Sequence, residues 1–161
     1  RELTGRGAGL SDAGLLRKIS AIERALEGNR PNANDPMDVL SKVGGYEIAG
    51  MVGAFLGGME QGVPIVIDGA ISAAAALLAA RICPAARDFM LPSHASREPM
   101  ARALLEALDL QPPIHADMAL GEGTGAVMVF PLLDMALRVY AGEHTFGNLG
   151  MEAYEPQEGK P

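Results

Sequence analysis

A single carboxylate, Glu122, lies between two glycines in the segment 120–125, which reads LGEGTG. Glycines let the backbone turn sharply and let a flat ligand approach it closely. The carboxylate therefore has two interpretations: it complements the dipole at the start of a helix, or it acts as a general base. The segment is not a Walker A sequence, because no Lys-Ser or Lys-Thr pair follows the glycines. It is not a dinucleotide fingerprint either, because the glycine spacing differs and no convincing strand precedes it.

A second carboxylate, Asp68, follows the β-branched run 63–67 and precedes Gly69. Such a run is typical of a buried parallel strand. Ligands bind at the carboxyl ends of the strands in open parallel sheets, so Asp68 is predicted to face a ligand. The alternative is that Asp68 caps the helix that follows from Ser72.

A small polar cluster, Ser93, His94 and Ser96, precedes the next predicted helix. Hydroxyl groups and free backbone amides at the start of a helix suit a phosphate, although helix capping explains the same residues. The cluster is thus a candidate phosphate site, with helix capping as the structural alternative.

Lys18 lies in the middle of the first predicted helix, where a lysine taken by itself is typical of a solvated surface charge.

Metal and thiol chemistry find no support in the sequence. The three histidines, His94, His115 and His144, do not have the spacing of metal ligands, so no metal is predicted. Cys83 is the only cysteine, which excludes an intrachain disulfide and fits a reducing cytoplasm. No Gly-x-Ser-x-Gly segment is present, so serine hydrolase chemistry is not indicated.

The composition is that of a folded domain with an acidic surface. The chain has 161 residues, of which 48% are hydrophobic, and a formal net charge of −7. An acidic chain lacks the basic face that a nucleic acid requires. The polar start shows no signal peptide, and the longest apolar run, Ile71–Ala80, is too short to span a bilayer, so no membrane partner is predicted. Residues 4–7 read like the middle of a loop, so we expect the chain to begin inside a longer protein.

Hydrophobic spacing and helix caps predict an α/β protein. Strands alternate with helices, which indicates a Rossmann-like parallel sheet with helices on both faces, as part of a larger fold. Residues 1–142 are predicted to form one α/β domain, and 143–161 a polar C-terminal tail. Strands are expected at 63–68 and 89–91, with a short piece at 114–115. Helices are expected at about 12–28, 36–43, 46–60, 72–81, 97–108 and 124–140.

Five motifs occur in an order that is similar to one known family. They are TGRG at 4–7, DVLSKVGG at 38–45, GVPIVIDG at 62–69, PSH at 92–94 and LGEGTG at 120–125. From its first residues to about Ala141, the chain resembles the C-terminal half of the nicotinate-nucleotide–dimethylbenzimidazole phosphoribosyltransferase family. That family transfers the phosphoribosyl group of nicotinate mononucleotide to 5,6-dimethylbenzimidazole. The products are nicotinate and α-ribazole 5′-phosphate, which is used for the lower loop of cobalamin.

The resemblance implies roles for individual residues. Glu122 stands at the position of the family's catalytic glutamate, and Lys18 at that of a phosphate-contacting lysine; Thr124 stands where some relatives have Ser. No cofactor is implied. The remaining residues that the resemblance places at the substrates or their phosphate are Asp68, Gly69, Ser93, Ser96, Leu120, Gly121 and Gly123.

The resemblance also implies what this chain lacks. The family carries another glycine-rich loop and much of the benzimidazole pocket in its N-terminal half, and no segment here matches them. We therefore expect weak or no activity from this chain alone, and an N-terminal half as its partner. We also expect a cytoplasmic location and a homodimer. Two alternatives stay open: a noncatalytic nucleotide- or base-binding α/β module, in which Glu122 only caps a helix, and a dimerisation half.

Overall fold

The computed structural model describes residues 1–7, 9–142, 145–152 and 155. His144 and much of the predicted tail 143–161 lie outside these residues. The chain divides into two compact units, Arg1–Val129 and Phe130–Pro161. The domain boundary predicted at residue 142 stays a prediction.

The elements follow the predicted order. They are α1 (Asp12–Asn29), α2 (Pro36–Val43), α3 (Tyr46–Gln61), β1 (Ile65–Ile67), α4 (Ala70–Ile82), a 3-10 helix (Pro84–Phe89), β2 (Met90–Pro92), β3 (His94–Ser96), α5 (Pro99–Ala107), β4 (Ile114–Met118) and α6 (Thr124–Ala141). All but α6 lie in the first unit, and α6 begins there and continues into the second.

Side-chain caps determine where the first two helices begin. The Ser11 hydroxyl accepts a hydrogen bond from the Gly14 amide at 3.2 Å, which satisfies one of the free amides of α1. Asp35 accepts from the amides of Met37 and Asp38 at 3.0 and 3.1 Å. Both helix starts are confirmed, because a short polar side chain before an apolar stripe is a strong local signal.

The strands are parallel, which confirms the α/β class, and they form two short pairs. Strand β1 pairs with β2, with Ile65 opposite Met90. Strand β3 pairs with β4, with His94 opposite Ile114. Within the described residues these are two two-stranded sheets, where the sequence predicts one.

Two strand predictions need correction. The polar segment 93–96, expected as a turn before a helix, contains β3, and the short piece at 114–115 is the five-residue strand β4. A strand therefore does precede the glycine motif. The hydrophobic pattern of the sequence does not reveal the full length of β4, because its three central residues are exposed. Pairing with β3 holds it instead, and the pair continues as the Arg97 amide donates to the Met118 carbonyl at 3.0 Å.

The core of the first unit is built from small side chains. Four alanines of α4, which are Ala73, Ala75, Ala76 and Ala79, are at most 1% exposed. They pack with Val52 and Phe55 of α3 and with Ile67 of β1 in one cluster. Small residues let helix and strand backbones approach closely, and this fixes the end of β1 relative to the start of α4.

Helix α6 is the longest apolar helix among the described residues. Its 18 residues have a mean hydropathy of 1.3, and 11% of these residues are buried. By length and composition the helix is therefore able to cross a bilayer. This corrects the expectation that no apolar segment is long enough to span a bilayer: Pro131, Asp134 and Arg138 interrupt the apolar run of α6 but not the helix. A single helix of this kind is weak evidence for a membrane, because a helix that packs on another protein has the same composition.

The close approach of α3 to β1 gives a stability prediction. A Cβ atom at Gly58 would lie 2.8 Å from the Val63 carbonyl oxygen and 2.7 Å from Ile65 Cδ1, whereas one at Gly57 would meet nothing within 4 Å. We expect Gly58→Ala to lower the free energy of unfolding by about 1–3 kcal/mol. Gly57→Ala should raise it by about 0.5–1 kcal/mol, since Ala restricts the unfolded chain. Urea unfolding measures both, and equal effects would contradict the packing described.

Candidate functional site

One cavity of about 490 Å³ gathers most of the predicted site residues. It lies within the first unit, where α1, the β1–α4 junction, β3 and the loop before α6 meet. Eight of the nine predicted residues line it: Lys18, Asp68, Gly69, Ser96, Leu120, Gly121, Glu122 and Gly123. The ninth, Ser93, is buried and does not line it.

The Glu122 loop has an unusual backbone. Gly121, Glu122 and Gly123 have φ angles of +76°, +57° and +76°, so three successive residues are left-handed. Glycine adopts this region freely, whereas a left-handed Glu costs about 1–2 kcal/mol. Thr124 closes the loop by donating its hydroxyl to the Gly121 carbonyl at 2.7 Å. Strain of this kind concentrates at functional sites, and here it sets the direction in which the Glu122 side chain leaves the backbone. The Glu122 carboxylate has no ion-pair partner among the described residues.

Asp68 holds this loop in place. One oxygen of its carboxylate accepts from the Gly123 amide at 3.2 Å and the other from the Ala126 amide at 3.0 Å. Asp68 thus lines the cavity at the end of β1, as predicted, and also caps a helix. The capped helix is α6, not α4 as the alternative supposed. The Ser72 hydroxyl serves α4 by accepting from the amides of Asp68 and Gly69 at 3.0 and 3.1 Å.

Lys18 brings the positive charge of the cavity. Its side chain is half-buried, and its Nζ donates to the Gly5 carbonyl at 2.9 Å. The interpretation of Lys18 as a solvated surface charge is therefore wrong. Spacing along α1 cannot reveal this, because the contact joins the helix to the chain that precedes it. An ammonium group has three donors, so those not used by Gly5 can bind an anion in the cavity.

Glu98 is a cavity residue that the sequence did not single out. It is half-buried, lines the cavity and has no ion-pair partner among the described residues. Its amide donates to the Ser96 hydroxyl at 3.2 Å, which fixes both residues at the start of α5. Proline is common at the first position of a helix, so Pro99 signals the start of α5 in the sequence. The acidic residue just before it, Glu98, could have been identified from this signal.

Ser93 and His94 form a buried pair beside Asp68. The Ser93 hydroxyl donates to the Asp68 carbonyl at 3.1 Å and lies 2.9 Å from His94 Nδ1. His94 is 4% exposed and also lines the cavity. A Cβ atom at Gly125 would collide with its imidazole, so the first turn of α6 packs directly on the ring.

These groups define what the cavity can do. An ammonium group can bind an anion such as a phosphate. Of the three carboxylates that line the cavity, Asp68 is engaged with backbone amides, and Glu98 and Glu122 can accept protons or hydrogen bonds. The backbone amides of Gly121 and Glu122 donate to no protein group among the described residues, so they are also available to a ligand. Within the same residues, no three His, Cys, Asp or Glu side chains are arranged to hold a metal ion. The site suits proton transfer on an anionic substrate.

Comparison with known families agrees with this chemistry. Residues 1–150 match the profile of a family described as Phosphoribosyltransferase. Because the match covers most of the chain, the protein belongs to this family.

Individual relatives are more specific. The chain is 50% identical over 155 residues to the nicotinate-nucleotide–dimethylbenzimidazole phosphoribosyltransferase of Acetivibrio thermocellus, a match that covers 96% of this chain and 44% of the relative. The enzyme of the same name from Ruminiclostridium cellulolyticum is 47% identical and is covered to 45%. The crystal structure of CobT from Thermus thermophilus superposes with a TM-score of 0.85 at 43% identity, over 94% of this chain and 45% of that one.

These matches confirm the resemblance recognised from the five motifs. The chain spans less than half the length of the relatives it matches, and it corresponds to their C-terminal part. The α/β fold described above is thus part of a larger one.

The contacts of Asp68 give a prediction about the loop. Asp68→Ala removes two hydrogen bonds to the start of α6, so we expect a loss of about 1–2 kcal/mol in the free energy of unfolding. Hydrogen exchange at the Gly123 and Ala126 amides should accelerate as well. Asp134→Ala, at an exposed position of α6, is the control and should change unfolding by less than about 0.5 kcal/mol. Unchanged exchange at both amides in Asp68→Ala would contradict the cap.

Proposed function

We propose that this chain supplies the catalytic carboxylate and the phosphate contact of a nicotinate-nucleotide–dimethylbenzimidazole phosphoribosyltransferase. The reaction joins the phosphoribosyl group of nicotinate mononucleotide to 5,6-dimethylbenzimidazole and releases nicotinate. The observation that carries the proposal is the strained Glu122 loop, which opens on the same cavity as Lys18. The names of the relatives specify the substrates.

Glu122 acts as the general base. Dimethylbenzimidazole has one nitrogen that bears a proton and one with a free lone pair. The free nitrogen attacks the ribose C1′ while nicotinate leaves from the other face, which inverts the anomeric carbon. A carboxylate hydrogen-bonded to the N–H raises electron density on the attacking nitrogen and takes the proton that becomes acidic. Base catalysis of this kind is worth about 10²–10⁴ in rate.

Lys18 and Ser96 hold the 5′-phosphate. Both line the cavity, and an ammonium group and a hydroxyl are suitable donors to a phosphate. A fixed phosphate places C1′ in line between the two bases, which lowers the entropic cost of the reaction. Ser93 has its hydroxyl engaged with Asp68 and His94, so we assign it to support of the site and not to the phosphate.

The proposed enzyme requires more than this chain. Because the relatives are more than twice as long, we propose that their N-terminal part completes the pocket for the benzimidazole. We also propose a cytoplasmic homodimer that binds neither nucleic acid nor a membrane. The acidic net charge of −7 supports the exclusion of nucleic acid.

An interaction role is a second function that a specific observation favours. Helix α6 exposes large apolar side chains, including Met135 at 55%, Leu137 at 63% and Val139 at 82%. Apolar surface of this extent is typical of protein interfaces. Sedimentation of the assembled protein tests the homodimer, and a monomer would contradict it.

Glutamate variants test the general base. The assay uses this chain fused behind the part of the Acetivibrio thermocellus relative that it does not cover, and measures formation of α-ribazole 5′-phosphate. We expect Glu122→Gln to lower kcat by about 10²–10⁴, since an amide hydrogen-bonds but does not accept the proton. Glu60→Gln, exposed on α3, is the control and should retain full activity.

Glu98→Gln distinguishes the contribution of Glu98 to catalysis from that of Glu122. We expect it to have a smaller effect on kcat than Glu122→Gln. A large loss in Glu98→Gln with full turnover in Glu122→Gln would transfer the role of base to Glu98. Calorimetry with dimethylbenzimidazole distinguishes the noncatalytic module, for which Glu122→Ala would leave binding unchanged.

A further inference from the structure

His94 is a buried polar side chain of the cavity to which the proposed reaction assigns no role. It is the first residue of β3, it is 4% exposed, and it lines the cavity together with Asp68 and Glu122. Its ring is held between the Ser93 hydroxyl and the backbone of Gly125. A polar ring fixed so firmly at a cavity wall presents one defined atom to a ligand.

The hydrogen bonds around Ser93 identify that atom. A serine hydroxyl has one proton, and that of Ser93 goes to the Asp68 carbonyl at 3.1 Å. The Ser93 oxygen therefore accepts from His94 Nδ1–H, 2.9 Å away. In a neutral imidazole with Nδ1 protonated, Nε2 carries the lone pair and is a hydrogen-bond acceptor.

The Nε2 atom is not shielded from solvent. No protein group donates to it among the described residues. In the same part of the chain, every side-chain nitrogen or oxygen that is shielded from solvent has a partner. Nε2 has none, so it is accessible, and the space that His94 lines is the cavity. In this tautomer the cavity contains a hydrogen-bond acceptor at Nε2 in addition to the carboxylates of Asp68, Glu98 and Glu122.

We propose that His94 Nε2 accepts a hydrogen bond from a ribose hydroxyl of the nucleotide and makes the site selective for a ribonucleotide; this rests on the proposed function. The assignment follows from which groups of the two substrates can donate a hydrogen bond to Nε2. Phosphate and nicotinate carboxylate oxygens are acceptors, so they do not pair with a lone pair. The benzimidazole N–H is the partner of Glu122. The 2′ and 3′ hydroxyls are the donors that remain.

The surrounding contacts suit a group that selects by geometry. The absence of a side chain at Gly125 leaves room for the ring, and Ser93, itself bonded to the Asp68 carbonyl, holds the ring at Nδ1. The same Asp68 holds the Glu122 loop through its side chain. The acceptor for the sugar and the base for the nucleophile are therefore positioned by one residue.

Deoxynucleotide substrates test this role. The fusion protein described above is assayed with nicotinate mononucleotide and with its 2′-deoxy and 3′-deoxy analogues. The ratio of kcat/KM for the parent nucleotide to that for each analogue is compared between enzymes. This ratio does not depend on the fraction of folded enzyme, because both substrates meet the same preparation.

We expect His94→Asn, which lacks an atom at the Nε2 position, to lower the ratio for one of the two analogues by about 3- to 10-fold. His94→Gln, whose amide oxygen reaches further, should retain more of it. His115→Asn, an exposed histidine of β4 outside this cavity, is the matched control and should leave both ratios unchanged. A merely structural His94 would change stability and not the ratios.

A second measurement needs no variant. In protein labelled with ¹⁵N-histidine, nicotinate mononucleotide should shift the Nε2 resonance of His94 more than the analogue that lacks the bonded hydroxyl. Unchanged ratios in both His94 variants, or equal resonance shifts with all three nucleotides, would overturn the assignment while leaving the transferase function in place. If the parent fusion makes no α-ribazole 5′-phosphate, the proposed function fails and this inference fails with it.

Discussion

The hydrogen bonds from the amides of Gly123 and Ala126 to the carboxylate of Asp68 are the constraint on which the site depends. They join residues 55 and 58 positions apart and connect the end of β1 to the first turn of α6. A carboxylate at this place also meets the positive end of the helix dipole, which strengthens the contact. Without it, the Glu122 loop would keep the hydroxyl hydrogen bond of Thr124 and the packing of Gly125 on His94. The loop of the candidate base is therefore held by a residue whose two carboxylate oxygens are occupied by backbone amides.

Residue types and local spacing predict much of this arrangement. Asp68 after an apolar strand and Glu122 between glycines were identifiable because each lies beside a local signal, and five ordered motifs indicated the family. What local patterns could not show are contacts between distant segments. Asp68 caps α6 and not the nearby α4, and strand β4 has an exposed centre that carries no hydrophobic pattern. Both depend on pairing partners that only the folded chain supplies.

Close backbone approach is the second principle of this fold. The alanines of α4 let it pack tightly on α3 and β1, and Gly125 lets α6 touch the imidazole of His94. With few aromatic side chains to fill space, the chain reaches core density by bringing its elements nearer to one another. This makes glycine and alanine positions as restrictive as large core residues, and it explains why a sequence poor in aromatics can hold a cavity of fixed shape.

The left-handed run at 121–123 has a consequence for how a ligand is captured. The free energy that this conformation requires is supplied when the chain folds, so the backbone of the loop and the direction of the Glu122 Cα–Cβ bond are set before any ligand arrives. Capture of a substrate then orders little of the protein, and less of the binding energy is lost to conformational entropy. The loop therefore keeps its left-handed backbone at the cavity at the expense of folding stability and not of binding energy.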